Sequence, residues 1–507
     1  MTDKTAKERY EELSKHRNDV ENRAEQYAKW TIPNVFPDET STDTNTMTNA
    51  LNSIGAEALN NLTNKLLLAL FSPGNPFFRV DLEPSTKVTV MQMLNLEEET
   101  QLDAIMSGVE RESMKVLGRK GLRDAAFSVI QQLIVTGNAM LHYPANRPMV
   151  VYTLRDYVVD RDSFGGIKAT IIKERKVFGS LSQDLKAMVS TTKSYKDSDE
   201  VCFYVWSRKR SDGKYEVTQW LEDTKLSDDD TKGVYPEERL PYIPLVWKRA
   251  RGHNYGTSLV EEYAGDFKAL EVLTDSFVKG LAVAADLKQL VNPGGITDIE
   301  DLVKSEFGAY VHGRADDISV PQLNKVADYK LLMEGIDSFS KRIARAFLLS
   351  SVVTRDAERV TAFEVQQQIN ELETALGGVF TKLSTSMQRP LAALAMAEVD
   401  SELSKKNGIE PMVITGIDAI SRFNEMSNVQ MWLQDLGLIN QLPPQAIQAL
   451  NLEALGSYMA SSRGIDADKF VKSPEQVKQE QEDMMQQQMQ MQAQEAGANA
   501  MAQGMTE

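Results

Sequence analysis

The sequence predicts an α+β fold, mainly helical, with its strands gathered into one central block. Three observations carry that prediction. Apolar residues recur at helical spacing through the first third of the chain, as in the stripe Leu59, Leu62, Leu66 and Leu70. Between Val150 and Trp247 the apolar period shortens to about two, and the runs Val201–Trp206 and Tyr215–Leu221 flank a Ser211-Asp-Gly213 turn of the composition a hairpin needs. From Ser258 onward the helical period returns.

Taken in order, Tyr10, Leu13, Val20, Ala24, Tyr27 and Trp30 predict an amphipathic helix over 5–30, ended by Pro33 and Pro37. A Ser/Thr/Asn-rich loop leads to a helix over 50–71, stopped by Ser72-Pro-Gly-Asn-Pro76. Helices follow over 97–117 and 122–137, then strands near 150–160, 167–178 and 243–249. Ser258 and Glu261 have the spacing of a capping box and open a helix expected to reach Leu290, where Asn292-Pro-Gly-Gly295 stops it. A mixed α/β excursion separates it from a second long helix carrying Tyr329, Leu332, Ile336, Phe339, Ile343 and Phe347. Two long helices around a small insertion suggest a stalk with a tip.

The stretch Leu349–Phe380 joins a charged loop to a well-signalled helix start. Thr361 and Glu364 can cap each other's backbone N–H groups, and Val360 and Val365 occupy the positions of a hydrophobic staple. Gly377-Gly378 costs such a helix about 2 kcal/mol relative to two alanines, which invites a kink, and Pro390 predicts a further bend. Residues 418–463 read as helical, with Pro443-Pro444 between segments. From Ser473 the chain is rich in Gln, Met and Ala and is expected to be disordered.

Composition narrows the function classes. A net charge of −17 over 507 residues argues against broad, non-specific nucleic-acid binding, so any such contact must be local. The single cysteine, Cys202, forms no intrachain disulfide and is expected to be a buried, inert thiol. The charged N-terminus has no apolar signal core, and no apolar run approaches the about 20 residues that span a bilayer, so no membrane contact is expected. There is no Gly-x-x-x-x-Gly-Lys-Ser/Thr loop, and His16, His142, His253 and His312 are scattered. No catalytic residue, cofactor or metal is therefore expected. The one charged feature that stands out is 341–360, where Lys341, Arg342, Arg345, Arg355 and Arg359 outnumber Asp356 and Glu358. From the residues alone two readings stay open: a solvated helix face with internal ion pairs, or a small patch of cations that touches phosphates.

Several segments resemble the portal, or head-to-tail connector, proteins of T7-like short-tailed bacteriophages. They are NNLTNKLLLALF at 60–71, QQLIVTGNAMLHYP at 131–144, YVVDRDSFG at 157–165, YGTSLVEEYAGD at 255–266, LVNPGGIT at 290–297, and ERVTAFEV with ELETALGGVF within 358–380. The resemblance implies a portal-type subunit with a wing of helices and antiparallel sheet, a two-helix stem, a small α/β clip and a helical crown, assembling into a ring typically of twelve subunits. The implied boundaries are wing 1–257, stem helix 258–288, clip 289–327, stem helix 328–348, tunnel loop 349–360, a long kinked wing helix 361–405, crown 406–472 and tail 473–507.

It further implies a DNA channel whose tunnel loop carries Thr354, Arg355, Asp356 and Arg359, with Thr361 and Glu364 as the cap and Gly377 and Gly378 as the kink of the wing helix. Implied partners are double-stranded DNA bound without sequence preference, a terminase motor, major capsid and scaffolding proteins, tail adaptor proteins and internal core proteins. The implied location is the portal vertex of the virion, after assembly in the host cytoplasm. Alternatives are an internal core or scaffolding protein of the phage head and a packaging enzyme.

Overall fold

The computed structural model describes residues 4–349 except 39–49, 73–75, 83, 97–98, 191–193, 227–231, 286–289, 307–308, 311 and 320–325, then 372, 374–376, 378–399, 412–415 and the single residues 432, 434, 437, 455 and 459. The chain forms two compact units, Met1–Gly416 and Ile417–Glu507, and every element named below lies in the first. The expected helices of 418–463 and the Gln/Met-rich tail lie outside the described residues, apart from those five positions.

The expected helix over 5–30 is two helices, α1 (Ala6–Ser14) and α2 (Asn18–Trp30). Thr5 and Glu8 cap α1 reciprocally. The break at 15–17 has a tertiary cause. Arg17 is buried, and its Nη1 donates to Tyr10 Oη, Arg155 O and Tyr157 O, which a continuous helix could not arrange while also packing both apolar faces.

α3 (Ile54–Leu70) buries the predicted leucine stripe completely. β1 (Phe78–Asp81) and α4 (Pro84–Leu94) follow. α5 (Glu99–Arg119) and α6 (Leu122–Thr136) are separated by Gly121 at φ 74. α6 packs on both α2 and α3 and feeds β2 (Asn138–His142) through Gly137, also left-handed. A Cβ at Gly137 would fall 2.6 Å from the Thr257 carbonyl carbon, so the site needs glycine for space as well as for φ.

The central block is antiparallel, as the period-two pattern predicts. β4 (Tyr157–Arg161), β5 (Ile167–Val177), β6 (Glu200–Lys209), β7 (Tyr215–Leu221) and β8 (Thr224–Lys225) pair in that order, and β9 (Lys232–Tyr235) also pairs with β7. A second sheet has the order β10 (Tyr242–Val246), β2, β3 (Val150–Tyr152). Alternation decides the covering of the larger sheet. Cys202, Tyr204 and Trp206 face a cluster with Tyr10 and Leu13 of α1, whereas Val201 and Phe203 face Val189 and Leu185 of α7 (Gln183–Ser190), a helix the sequence reading did not anticipate.

Within the second sheet His142 stacks on Tyr242 at 4.4 Å and on Tyr152 at 6.1 Å. Burial pushes the imidazole down to about 4, against a smaller opposing effect of Glu174. The unfolded chain therefore binds the extra proton first, near 6.5, and stability is lost as pH falls from about 6.5 to about 4. Such a shift corresponds to roughly 3 kcal/mol at the acid end of that window. His142→Phe, which keeps the stack, is expected to flatten the decline in urea-unfolding free energy between pH 6.5 and 4; an unchanged slope would contradict this assignment.

The expected helix from Ser258 to Leu290 is shorter and interrupted. Ser258 Oγ accepts the Glu261 N–H at 2.9 Å and opens α8 (Leu259–Glu262), which breaks at Tyr263 before α9 (Ala264–Ala285). Leu290 is not helical: β11 (Leu290–Val291) pairs with β12 (Ile318–Ser319), and α10 (Ile299–Lys304) lies between them. Backbone pairing across the insertion thus takes Leu290 into a strand ahead of the Asn-Pro-Gly-Gly segment. Asp317 ties the insertion's turn, accepting from Ile296 N at 2.9 Å, Thr297 N at 3.2 Å and Thr297 Oγ1 at 2.9 Å.

α11 (Val326–Ala346) returns antiparallel to α9. Tyr329 Oη donates to Gly280 O at 3.0 Å, and Arg342 pairs with Asp266 at 2.8 Å near the other end. After α12 (Val379–Leu383) the bend expected from Pro390 takes the form of a π-turn, Ser384–Gln388, directly before α13 (Arg389–Glu398). The wider turn relieves the ring clash and the missing N–H without stopping the helix. β13 (Met412–Thr415) pairs with β1, more than 300 residues earlier in the chain.

Candidate nucleic-acid interface

The predicted DNA-contacting loop begins where α11 ends, and that exit is fixed by four elements. The Leu349 N–H donates to Ala344 O at 2.8 Å and the Leu348 N–H to Arg345 O at 3.1 Å, which is a Schellman closure. The left-handed position is normally glycine. Here it is Leu348 at φ 54, a conformation costing an L-residue about 1–2 kcal/mol.

The surroundings hold Leu348 there. Asn61 Nδ2, on α3, donates to Phe347 O at 3.2 Å and Leu348 O at 3.0 Å, and Lys65 Nζ, one turn on, donates to Leu348 O at 2.9 Å. The last carbonyls of α11 thus receive an amide and a buried ammonium, the charge that a helix C-terminus favours. Phe347 is fully buried and meets Phe267 edge-on at 5.9 Å and Tyr263 at 6.3 Å. Phe267 stacks in turn on Trp30 of α2, whose Nε1 donates to Glu271 at 2.7 Å.

Thr354, Arg355, Asp356, Arg359, Thr361, Glu364 and Gly377 lie outside the described residues. Gly378 is described, and its φ of 84 places it in the left-handed region immediately before α12. The basic residues of α11 divide. Lys341 pairs with Asp337 at 2.6 Å, and Arg342 with Asp266 while its guanidinium lies over the Phe339 ring, so both belong to a solvated, paired helix face. Arg345 is exposed and has no ion pair among the described residues.

Asn61 and Lys65 are supports of the α11 exit that the sequence reading missed. Both entered it only within the segment NNLTNKLLLALF that carries the family resemblance. Their four-residue spacing puts both on one face of α3, a signal of a shared polar task but not of its target.

Cys202 is half-buried and burial pushes its thiol up, in agreement with an inert role. No described helix is long and apolar enough to cross a membrane, and the described residues hold no cluster of three or more His, Cys, Asp or Glu side chains able to bind a metal.

The profile of the family described as "Bacteriophage head to tail connecting protein" matches residues 3–471. The chain belongs to that family. Among curated relatives, the portal protein of Escherichia phage T7 is 34% identical over 517 residues, covering 99% of this chain and 93% of the relative. The portal protein of Enterobacteria phage SP6 is 32% identical over 497 residues, covering 97% and 94%. Among solved structures, a chain from the virion of a native gene transfer agent particle aligns with TM-score 0.34 and 12% identity, covering 80% of this chain and 99% of that chain.

Two of the segments that carried the family resemblance meet in space. Asn138 Nδ2 donates to Gly256 O at 3.1 Å while the Gly256 N–H donates to Asn138 Oδ1 at 2.8 Å, so TGNAM and YGTSL are two halves of one joint between the second sheet and the head of α8.

Proposed function

We propose that this chain forms the portal channel at one vertex of a bacteriophage head, through which double-stranded DNA is packaged and later ejected. Its membership of the connecting-protein family across residues 3–471 is the observation that carries the reading. The proposed unit is a homo-oligomeric ring, typically twelvefold in the family, with the wing, stem, clip, crown and tail boundaries set out above.

The stem surface supports a ring. Leu331 is 70% exposed, Met333 57% and Val272 56% on the paired helices, and Val303 and Tyr310 stand out on the insertion. An isolated stalk gains nothing from displaying these side chains, whereas neighbouring copies would cover them.

Charge supports a slippery conduit. A twelvefold ring would carry roughly 200 negative charges, which repel phosphate over most of a bore. A few cations at a constriction then centre or clamp the duplex, and Arg355 and Arg359 on the proposed tunnel loop take that part, with contacts to phosphate and none to base edges. Thr354 and Asp356 share the loop, Thr361 and Glu364 cap the following helix, and Gly377 and Gly378 bend it.

In this reading the chain is not an enzyme. A terminase motor supplies the work, and capsid, scaffolding, core and tail adaptor proteins dock around the ring, which is assembled in the host cytoplasm.

Gold labelling of a tagged chain in mature particles tests the location. A single labelled vertex is expected. Label throughout the interior, or its loss on maturation, would instead favour an internal core or scaffolding protein. ATP hydrolysis or DNA cleavage by the purified chain with added magnesium would favour a packaging enzyme.

A further inference from the structure

A second group of cations lies where the ends of β4 and β10 meet α12. Arg161 and Arg249 converge on Gly165. Arg161 Nη1 donates to Gly165 O at 3.1 Å, and Arg249 lies so close that a Cβ on Gly165 would fall 1.7 Å from its Nη2. Gly165, at φ 102, is the residue that lets the second guanidinium approach. Lys382 of α12 donates to Trp247 O, two residues before Arg249, at 2.8 Å.

The partners of these cations are backbone carbonyls. Arg161 also donates to Asn254 O at 3.1 Å and Pro244 O at 3.4 Å, and Arg249 donates to His253 O at 3.0 Å. A carbonyl orients a cation without neutralising it. In a chain with 73 acidic residues, no carboxylate among the described residues forms an ion pair with Arg161, Arg249 or Lys382. Two acids on the adjoining segments are otherwise engaged. Glu262 pairs with Lys248 at 2.7 Å, and Asp162 Oδ1 accepts the N–H groups of Phe164, Gly165 and Gly166.

The like charges repel one another. Burial first, then Arg249, pushes Arg161 down, and burial, then Arg249, Arg161 and Lys248, push Lys382 down. Half-buried like charges held together by fixed carbonyls are stabilised by an incoming anion, and two forked guanidiniums plus an ammonium match the oxygens and charge of a phosphate group better than those of a lone carboxylate.

We infer that Arg161, Arg249 and Lys382 form a preorganised phosphate-binding site on the wing, built from residues other than those of the tunnel loop. The phosphate can come from a DNA backbone or from free phosphate in solution. The site does not depend on the portal reading; only the DNA source does.

Calorimetric titration of the full-length protein with inorganic phosphate, against chloride at matched ionic strength, tests it, together with anisotropy of a short labelled duplex. Wild type is expected to bind phosphate with a raised unfolding midpoint, and Arg249→Gln, checked for its native circular dichroism, to bind about tenfold or more weakly. Arg249→Lys, which keeps the charge but loses the fork, is expected to fall between them and serves if the glutamine variant misfolds. Duplex binding that Arg249→Gln weakens would identify DNA as the source. Duplex binding unaffected by Arg249→Gln but lost in Arg355→Ala/Arg359→Ala would leave free phosphate as the ligand here and the tunnel loop as the DNA contact. Absence of phosphate binding, or equal affinity in wild type and Arg249→Gln (an adventitious ion only), overturns the proposal.

Discussion

Particles built with Arg355→Ala and Arg359→Ala together are expected to contain normal rings and yet to retain full-length DNA about tenfold or more poorly than wild type, because counterion release at each phosphate contact contributes multiplicatively to holding the duplex. The stem, its packing and its exposed apolar surface are untouched by the change, so assembly should not respond. Packaged DNA length, read by pulsed-field electrophoresis, and ring formation, read by electron microscopy, separate the two roles. Normal full-length packaging in the double variant would sink the assignment of these arginines to the channel. Raising the salt concentration should weaken wild-type retention towards the variant's level, since phosphate contacts of this kind are screened.

The second large effect concerns the mount. Phe347 is fully buried between Phe267 and Tyr263 at the point where α11 meets α3. Phe347→Ala is expected to cost about 3–5 kcal/mol, from lost transfer free energy plus the cavity left among three rigid elements. Leu348 compounds this, because its left-handed backbone persists only while its surroundings over-determine it. The variant should therefore show a lowered unfolding midpoint and faster amide exchange at Leu348 and Leu349, whose N–H groups close the helix. A loss below about 1 kcal/mol, within the range of a surface substitution, would mean that the exit of α11 is held by something other than this aromatic contact.

Much of the fold was legible because local periodicity and burial agree. The stripe Leu59, Leu62, Leu66 and Leu70 is completely buried, and the alternation along Val201–Trp206 divides between two covers. What escaped was set by distant residues. The break between α1 and α2 exists because Arg17 reaches the carbonyls of Arg155 and Tyr157. Leu290 is in a strand instead of the expected helix because Leu290–Val291 pairs with Ile318–Ser319. β1 finds its partner at Met412–Thr415. No window of a few residues contains these pairings.

The candidate site shows the same division. The cation-rich window could be read locally, and the ion pairs of Lys341 and Arg342 agree with the blander of the two readings for that helix face. Asn61 and Lys65 could not be assigned to the end of α11, because their targets are backbone carbonyls nearly 290 positions away. Arg161, Arg249 and Lys382 likewise come from three separate elements and only the tertiary fold makes them one cluster.

The central claim is that this chain is the repeating unit of a portal ring, and the most direct test is single-particle electron microscopy of the purified full-length protein. The account predicts class averages with rotational symmetry around a central hole. A monodisperse monomer at working concentration, with native circular dichroism, would contradict it.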